Sequence, residues 1–359
     1  MTLPGQSLTL AAGGRAGADE PLLVRAARRQ ALERRPVWFM RQAGRSLPEY
    51  RTIRATADLF TICQDPALCA EVTLQPVTRL GVDGAVLFAD IMLPVAFSLG
   101  VNVRLVEDVG PVIDKPIRTR AAVERLLALA PQESVPFVLE TIRLLRRALD
   151  PTVAVIGFAG APFTLAGYLI EGKPSRDFLL TKAMMLGEPQ LWDGLMGRLS
   201  RLVLAYLRAQ VEAGAQVIQL FDSWVGAMST ADYRRSVQPY VAAIFDGLRE
   251  SGVPTIHFGT GTAALLPAMR EAGGDVIGLD WRVDLAEAWA RVGYDRGVQG
   301  NLDPAAMLAP WPTVAEKAHE IIGQAGNRPG HIFNLGHGVL PQTPVDHLQR
   351  LVELVHMTP

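Results

Sequence analysis

The most restrictive feature of this sequence is a repeated alternation. Short, nearly all-apolar runs recur at residues 37–40, 84–89, 153–158, 216–221, 254–258, 275–279, 297–300 and 331–335. Between them lie segments of helical periodicity at 66–80, 134–148, 191–213, 230–250, 263–271, 313–323 and 344–356. Runs that are apolar throughout, rather than on alternate residues, suit parallel strands covered on both faces. Eight strand–helix units within 359 residues predict an α/β fold, a single (β/α)8 TIM barrel. The competing arrangement, an open doubly wound sheet, lacks a GxGxxG or GxxxxGKS/T turn after any of the runs. Residues 101–120 break the repeat. There VNVRLVEDVGPVIDKPIRTR alternates apolar and polar residues around Gly110-Pro111, which predicts a small hairpin inserted after the second strand.

No linker, low-complexity tract or composition shift divides residues 19–359, so one barrel domain is expected there. Asp19-Glu20-Pro21 predicts a helix start, with a basic helix from 22 to 35. Residues 1–18 are rich in Gly, Ala and Leu without basic residues ahead of an apolar core. They are expected to form a flexible tail, not a signal peptide.

Charge and cysteine usage bound the partners. A net charge of −1 argues against a general nucleic-acid or membrane-surface binder. Cys63 and Cys69 are the only cysteines, which suits a reduced, cytoplasmic protein better than a disulfide framework. No apolar run has the length of a membrane-spanning helix.

Against that near-neutral background, residues 36–54 (PVWFMRQAGRSLPEYRTIR) stand out. Arg41, Arg45, Arg51 and Arg54 fall within fourteen positions, directly after an apolar run. A guanidinium is permanently charged and grips a carboxylate through two parallel hydrogen bonds. Gly44 also lets backbone N–H groups turn toward an anion. A solvated loop is the bland alternative. Two arginines around Gln-Ala-Gly at the mouth of a buried strand favour a site for a ligand with several carboxylates or phosphates.

In a barrel, chemistry gathers at the carboxyl ends of the strands. Those ends carry Arg41 and Arg45; Asp90; the uncharged GFAGAPFTLAGYLIEG lining with Tyr168; Asp222-Ser223-Trp224; His257, Phe258 and Gly259; Asp280 and Trp281; Asn301 and Asp303; and Asn334, Gly336, His337 and Gly338. Asp90 has a plausible role as a helix cap, but its neighbours Phe88, Ile91, Met92 and Leu93 read as a pocket wall. Tyr168 has a core alternative, and Ser223 that of a turn residue. His257 within PTIHFG reads as a hydrogen-bonded barrel residue, whereas His337 between two glycines has little local packing. Neither HExxH nor CxxC is present to hold zinc, and no GxSxG elbow or strand-end Schiff-base lysine appears. Anion binding, proton transfer and charge stabilisation remain.

The stretches FMRQAGRSLPEYR, FADIMLP, GFAGAPFTLAGYLIEG, QLFDSWVG, QGNLDP and FNLGHGVLPQTP, in this order, resemble the motifs of the uroporphyrinogen decarboxylase family from about residue 21 onward. The resemblance implies a (β/α)8 barrel forming a head-to-head homodimer. It implies decarboxylation of the four acetate side chains of uroporphyrinogen III to give coproporphyrinogen III in porphyrin biosynthesis, without metal or prosthetic group. Carried over residue by residue, Arg41, Arg45 and Arg54 would hold carboxylates, aided by backbone amides around Gln42 and Ala43. Asp90 would accept hydrogen bonds from the pyrrole N–H groups, and Phe221 would pack on the macrocycle. Tyr168, Ser223 and His337 would contact acetates or propionates. Asp90, Arg41 and Tyr168 would be the catalytic set. Two other readings stay open at this point. One is a zinc- and corrinoid-dependent methyltransferase of the same superfamily, which would require a His-x-Cys pair; the other is a non-catalytic tetrapyrrole carrier.

Overall fold

The computed structural model describes residues 20–44, 46–106 and 109–358. Asp19, at the expected helix start, and the expected tail at 1–18 lie outside the described residues.

In chain order the strands are β1 (Gly84–Val86), β2 (Val103–Val106), β3 (Gly110–Ile113), β4 (Ala154–Gly160), β5 (Val217–Asp222), β6 (Thr255–Gly259), β7 (Val276–Gly278), β8 (Gly297–Leu302) and β9 (His331–Leu335). Seven of them form one curved parallel sheet in the order β1-β4-β5-β6-β7-β8-β9. Gly84 stands opposite Ala154 at one end of this order, and Val298 opposite His331 at the other. All seven are buried along their whole length apart from Phe221, as expected for strands covered by helices outside and packed side chains inside.

The eighth position is taken by 37–40, but not as the regular strand its composition predicted. Val37 makes an isolated parallel bridge to Phe333, and its carbonyl accepts the Asp83 N–H at 2.8 Å. The run therefore joins β9 to β1 and completes the ring. Its ladder stops short because the chain turns at once. Gln42 N–H donates to the Phe39 carbonyl at 3.1 Å, and Val339 N–H reaches the Met40 carbonyl at 2.9 Å.

At the amino-terminal end of the ring the buried Asp83 accepts from Val37 N–H and His356 Nε2, both at 2.8 Å, and pairs with Arg34 at 2.7 Å. Burial raises its proton affinity, but the hydrogen bonds from His356 and Arg34 overcome this and hold the carboxyl below its ordinary range. Inside the ring, Trp38 Nε1 donates to Gln299 Oε1, and Gln299 Nε2 to Gln219 Oε1, each at 2.9 Å. This polar layer crosses from the first segment through β8 to β5.

The expected hairpin is present: β2 pairs antiparallel with β3. The helix Pro66–Leu80 has the predicted bounds. Asp65 caps its first N–H groups, Pro66 opens it, and Gly81 at φ 74° ends it. Two expected helices are corrected. The first spans only Leu22–Ala27, because the chain leaves helical geometry at Arg29 with φ 55°. The second, expected over 230–250, breaks at Val237 into Thr230–Ser236 and Gln238–Leu248. Pro239 at the start of the second piece cannot donate to a preceding turn.

Candidate active site

Arg41 leaves the barrel with φ 59°, a left-handed conformation unusual for arginine. Its side chain passes directly over Gly338, where an added Cβ would lie 2.5 Å from Arg41 Cδ. Gln42 points inward. Its Oε1 accepts the Phe39 N–H at 2.9 Å and its Nε2 donates to the Gly84 carbonyl at 2.8 Å. Since its own N–H is also used within the turn, Gln42 builds the loop that presents Arg41 and offers no free amide to an anion. The Ala43 N–H makes no hydrogen bond among the described residues. Arg45 lies outside the described residues. Arg54 ends the helix Pro48–Arg54 and donates to the Ala57 carbonyl at 3.0 Å.

Asp90 follows β1. Its Oδ1 accepts the Met92 N–H at 2.8 Å, so a turn cap is part of its role. Its Oδ2 has no partner among the described residues, and the residue is only part-buried. Beside it Phe88, Met92 and Leu93 are buried. Tyr168 sits on the helix Pro162–Glu171, almost wholly buried, with its ring 4.4 Å from that of Trp224. Phe221 packs edge-on against Phe158 at 5.4 Å and Phe258 at 5.8 Å while keeping part of its surface open. Ser223, one residue past β5, is half-buried, and its carbonyl accepts from Thr260 Oγ1. His337 lies in the loop after β9, 6.4 Å from the rings of both Phe258 and Trp281.

These side chains act on one another electrostatically. Burial raises the Asp90 carboxyl above its ordinary range, against the pull of the Met92 N–H and the Arg41 charge. Burial and the Asp90 charge raise Tyr168, and Arg41 partly offsets them. Burial and the charges of Arg41 and Arg282 lower His337 to about 4, with Asp280 opposing. The fold thus brings Arg41, Asp90, Tyr168 and His337 into one field, formed by a cation, a carboxyl with one open oxygen, a neutral phenol and a neutral imidazole.

Two participants were not singled out from sequence. Thr164, four residues before Tyr168, donates to Asp222 Oδ1 at 3.3 Å and accepts the Trp224 N–H at 3.4 Å. It thereby ties the Trp224 loop to the Tyr168 helix, a relation invisible until 162–171 is known to be helical. Arg282 follows Asp280-Trp281, and an arginine two places beyond a strand-end acid was the signal available.

A profile of the uroporphyrinogen decarboxylase (URO-D) family matches residues 19–358. The chain belongs to the uroporphyrinogen decarboxylase family. Uroporphyrinogen decarboxylase from Sorangium cellulosum is 53% identical over 336 residues, covering 94% of this chain and 96% of that protein. The uroporphyrinogen decarboxylase of Salinispora tropica is 54% identical over 339 residues, covering 94% of this chain and 90% of its own length. A protein of the same name from Thermus thermophilus is 55% identical over 334 residues, or 93% and 97% of the two chains. Among solved structures, a methyltransferase from Methanosarcina mazei aligns with TM-score 0.73 and 18% identity over 93% of this chain and 96% of its own. At that identity the likeness shows the shared barrel alone. The uroporphyrinogen decarboxylase motifs quoted above surround the strand ends just described.

Proposed function

We propose that this protein removes carbon dioxide from the four acetate side chains of uroporphyrinogen III, giving coproporphyrinogen III in porphyrin biosynthesis. The observation that carries the reading is Asp90, with one carboxyl oxygen fixed by Met92 N–H and the other open, in the field of Arg41 and Tyr168.

A pyrrole acetate holds on to its carbon dioxide because the electron pair left behind has nowhere to go. Protonating the ring carbon next to the one that bears the acetate creates an iminium-like cation conjugated with the acetate-bearing carbon. The C–CO2 bond then breaks into that sink, leaving a neutral exocyclic methylene. A proton adds to the methylene to form the methyl group, and loss of the first proton restores the pyrrole, so each acetate consumes one proton overall. Transiently the ring is positive. Asp90 would accept the pyrrole N–H groups and face that charge, and the Met92 N–H on one of its oxygens supports an orientation set before reaction begins. Such preorganised stabilisation is worth about 3–4 kcal/mol, or two to three decades in rate. Arg41 would hold the carboxylates, with Arg45 and Arg54 in support. Tyr168, Ser223 and His337 would contact side-chain carboxylates, and Phe221 would pack on the macrocycle. His337, held neutral, can donate one hydrogen bond without adding a second cation. Arginine is a poor proton donor at neutral pH, so Arg41 is assigned to binding and orientation.

The methyltransferase alternative is disfavoured by its ligand set. His257 is followed by Phe258 and Gly259, and the thiols of Cys63 and Cys69 are buried with the Phe88 carbonyl as partner. Among the described residues no three His, Cys, Asp or Glu side chains are grouped to share a metal ion.

We further propose a homodimer with facing clefts, working in the cytoplasm. The helix Leu179–Gly187, which follows the Tyr168 helix in the chain, exposes Leu179 at 70%, Leu180 at 45% and Leu186 at 61%. An apolar helix face of this kind suits contact with a second copy. None of the described helices is long and apolar enough to cross a membrane. Anaerobic incubation with uroporphyrinogen III, followed by counting carboxylates on the products, tests the activity. Four-carboxylate product is expected, and unchanged eight-carboxylate substrate refutes it.

A further inference from the structure

The loop after β7 runs Leu279-Asp280-Trp281-Arg282. Asp280 is only 1% exposed and gathers three donors: the Gly261 N–H at 2.6 Å, the Arg282 N–H at 3.2 Å and the Arg282 guanidinium Nη1 at 2.5 Å. Drawn back by that acid, the guanidinium carbon sits 3.9 Å from the centroid of the Trp281 ring. Trp281 meets His337 edge-on. Gly336 passes so close to Trp281 that an added Cβ would lie 2.4 Å from its backbone nitrogen. The β7 and β9 loops are therefore packed together. His337 has two arginines near it, Arg41 over the adjacent Gly338 and Arg282 over the neighbouring Trp281.

We propose that Arg282 is a second carboxylate-binding position of this active site, gripping a peripheral carboxylate of the macrocycle beside His337. The identity of the ligand rests on the function proposed above. The Arg282 side chain is 52% exposed. Its Nε and Nη2 make no hydrogen bond among the described residues, so one edge of the fork is anchored and the other is open. An arginine already immobilised on an acid and an aromatic ring loses little further freedom when it binds, which favours a two-point grip. The competing role, a staple for its own loop, leaves that open edge unused. Asp280 already has the Gly261 and Arg282 backbone donors for stapling. The charge of Arg282 acts on His337 alongside that of Arg41, which places it over the same site.

The test is equilibrium titration with uroporphyrin III, the air-stable octacarboxylate, followed by porphyrin fluorescence at low and moderate salt, on wild type, R282Q and R282K. R282Q is expected to bind about tenfold more weakly, with a shallower salt dependence, and KM for uroporphyrinogen should rise more than kcat falls. R282K keeps the charge but not the fork and should fall between the two. Wild-type affinity and salt dependence in R282Q overturn the proposal. If R282Q does not fold, R282K decides: affinity equal to wild type overturns it. Wild-type protein that binds uroporphyrin yet leaves uroporphyrinogen intact refutes the catalytic reading while this one stands. Wild-type protein that does not bind uroporphyrin overturns this one.

Discussion

Asp90 meets two opposing demands. The free site raises its proton affinity by burial. A cationic ring with its N–H groups turned toward the carboxyl lowers that affinity again, most of all in the transition state. Asp90→Asn keeps the shape and one acceptor oxygen but removes the charge. Turnover is expected to fall by about two decades or more while affinity for uroporphyrin changes far less, as measured by steady-state kinetics and fluorescence titration side by side. Equal losses in both would make Asp90 a binding residue. For Arg41→Lys the charge is retained and the planar fork is lost, so kcat/KM is expected to drop at least about tenfold; near-normal kcat/KM would refute the clamp. Arg41 and Asp90 could be named as candidates from the sequence because each is a chemically loaded residue at the end of an apolar run, and Tyr168 because it carries a hydroxyl in an otherwise uncharged, glycine-rich lining. The part played by Gln42 was not. Its side chain turns inward to the Phe39 N–H and the Gly84 carbonyl, and a partner 42 residues away leaves no local trace.

At the scale of elements, the site is a contact between loops, and the Arg41–Gly338 crossing is its tightest point. Gly338→Ala would put a methyl group within van der Waals overlap of Arg41 Cδ, Cγ and Cβ. The arginine must swing aside, whereas the barrel below has no reason to change. The expected result is a kcat/KM lower by about tenfold with a melting temperature within a few degrees of wild type, checked by kinetics and thermal unfolding. Normal kinetics would show that Arg41 reaches its substrate from another rotamer. The strands were legible because burial on both faces writes itself as an unbroken apolar run. The helix Pro162–Glu171 was not, since its Pro, Gly, Ala and Thr content reads as a loop. Gly167 is nevertheless in place there, because the Phe178 ring lies 3.2 Å from where its Cβ would be. The helix beginning at Leu22 was overextended because its basic residues continue past the point where the backbone turns at Arg29.

For the whole molecule, acid should loosen the fold before it touches the carboxylates. His331 is buried, donates Nε2–H to the Gly300 carbonyl and has no partner for Nδ1. Burial and the Arg35 charge lower it to about 3. Unfolded histidine takes up its proton near 6.5. Between those values the unfolded chain therefore binds more protons than the folded one, and stability falls as pH falls through that window, by up to about 1.4 kcal/mol per pH unit for this group. His337 adds the same sign down to about 4, while Asp90, raised in the folded state, acts in the opposite sense at lower pH. Urea midpoints at pH 7 and pH 5 should differ accordingly, and His331→Gln should flatten the difference. An unchanged slope would show that His331 accepts its proton in the folded protein. Association is tested on the exposed leucines. Leu179→Glu combined with Leu186→Glu should convert a dimer to a monomer by light scattering at micromolar concentration, and a dimer that survives would place the interface elsewhere.

The ring is completed by residues far apart in the sequence. Val37 bridges Phe333, and Arg34 and His356 meet at the same Asp83 carboxylate. During synthesis the first barrel segment finds β1 early on one side, but its other edge has no neighbour until β9 leaves the ribosome. Until then the nascent protein is an open sheet with two unpaired edges, vulnerable to pairing with other chains. Truncations that stop short of β9 should for this reason aggregate far more readily than the removal of one strand and one outer helix would suggest.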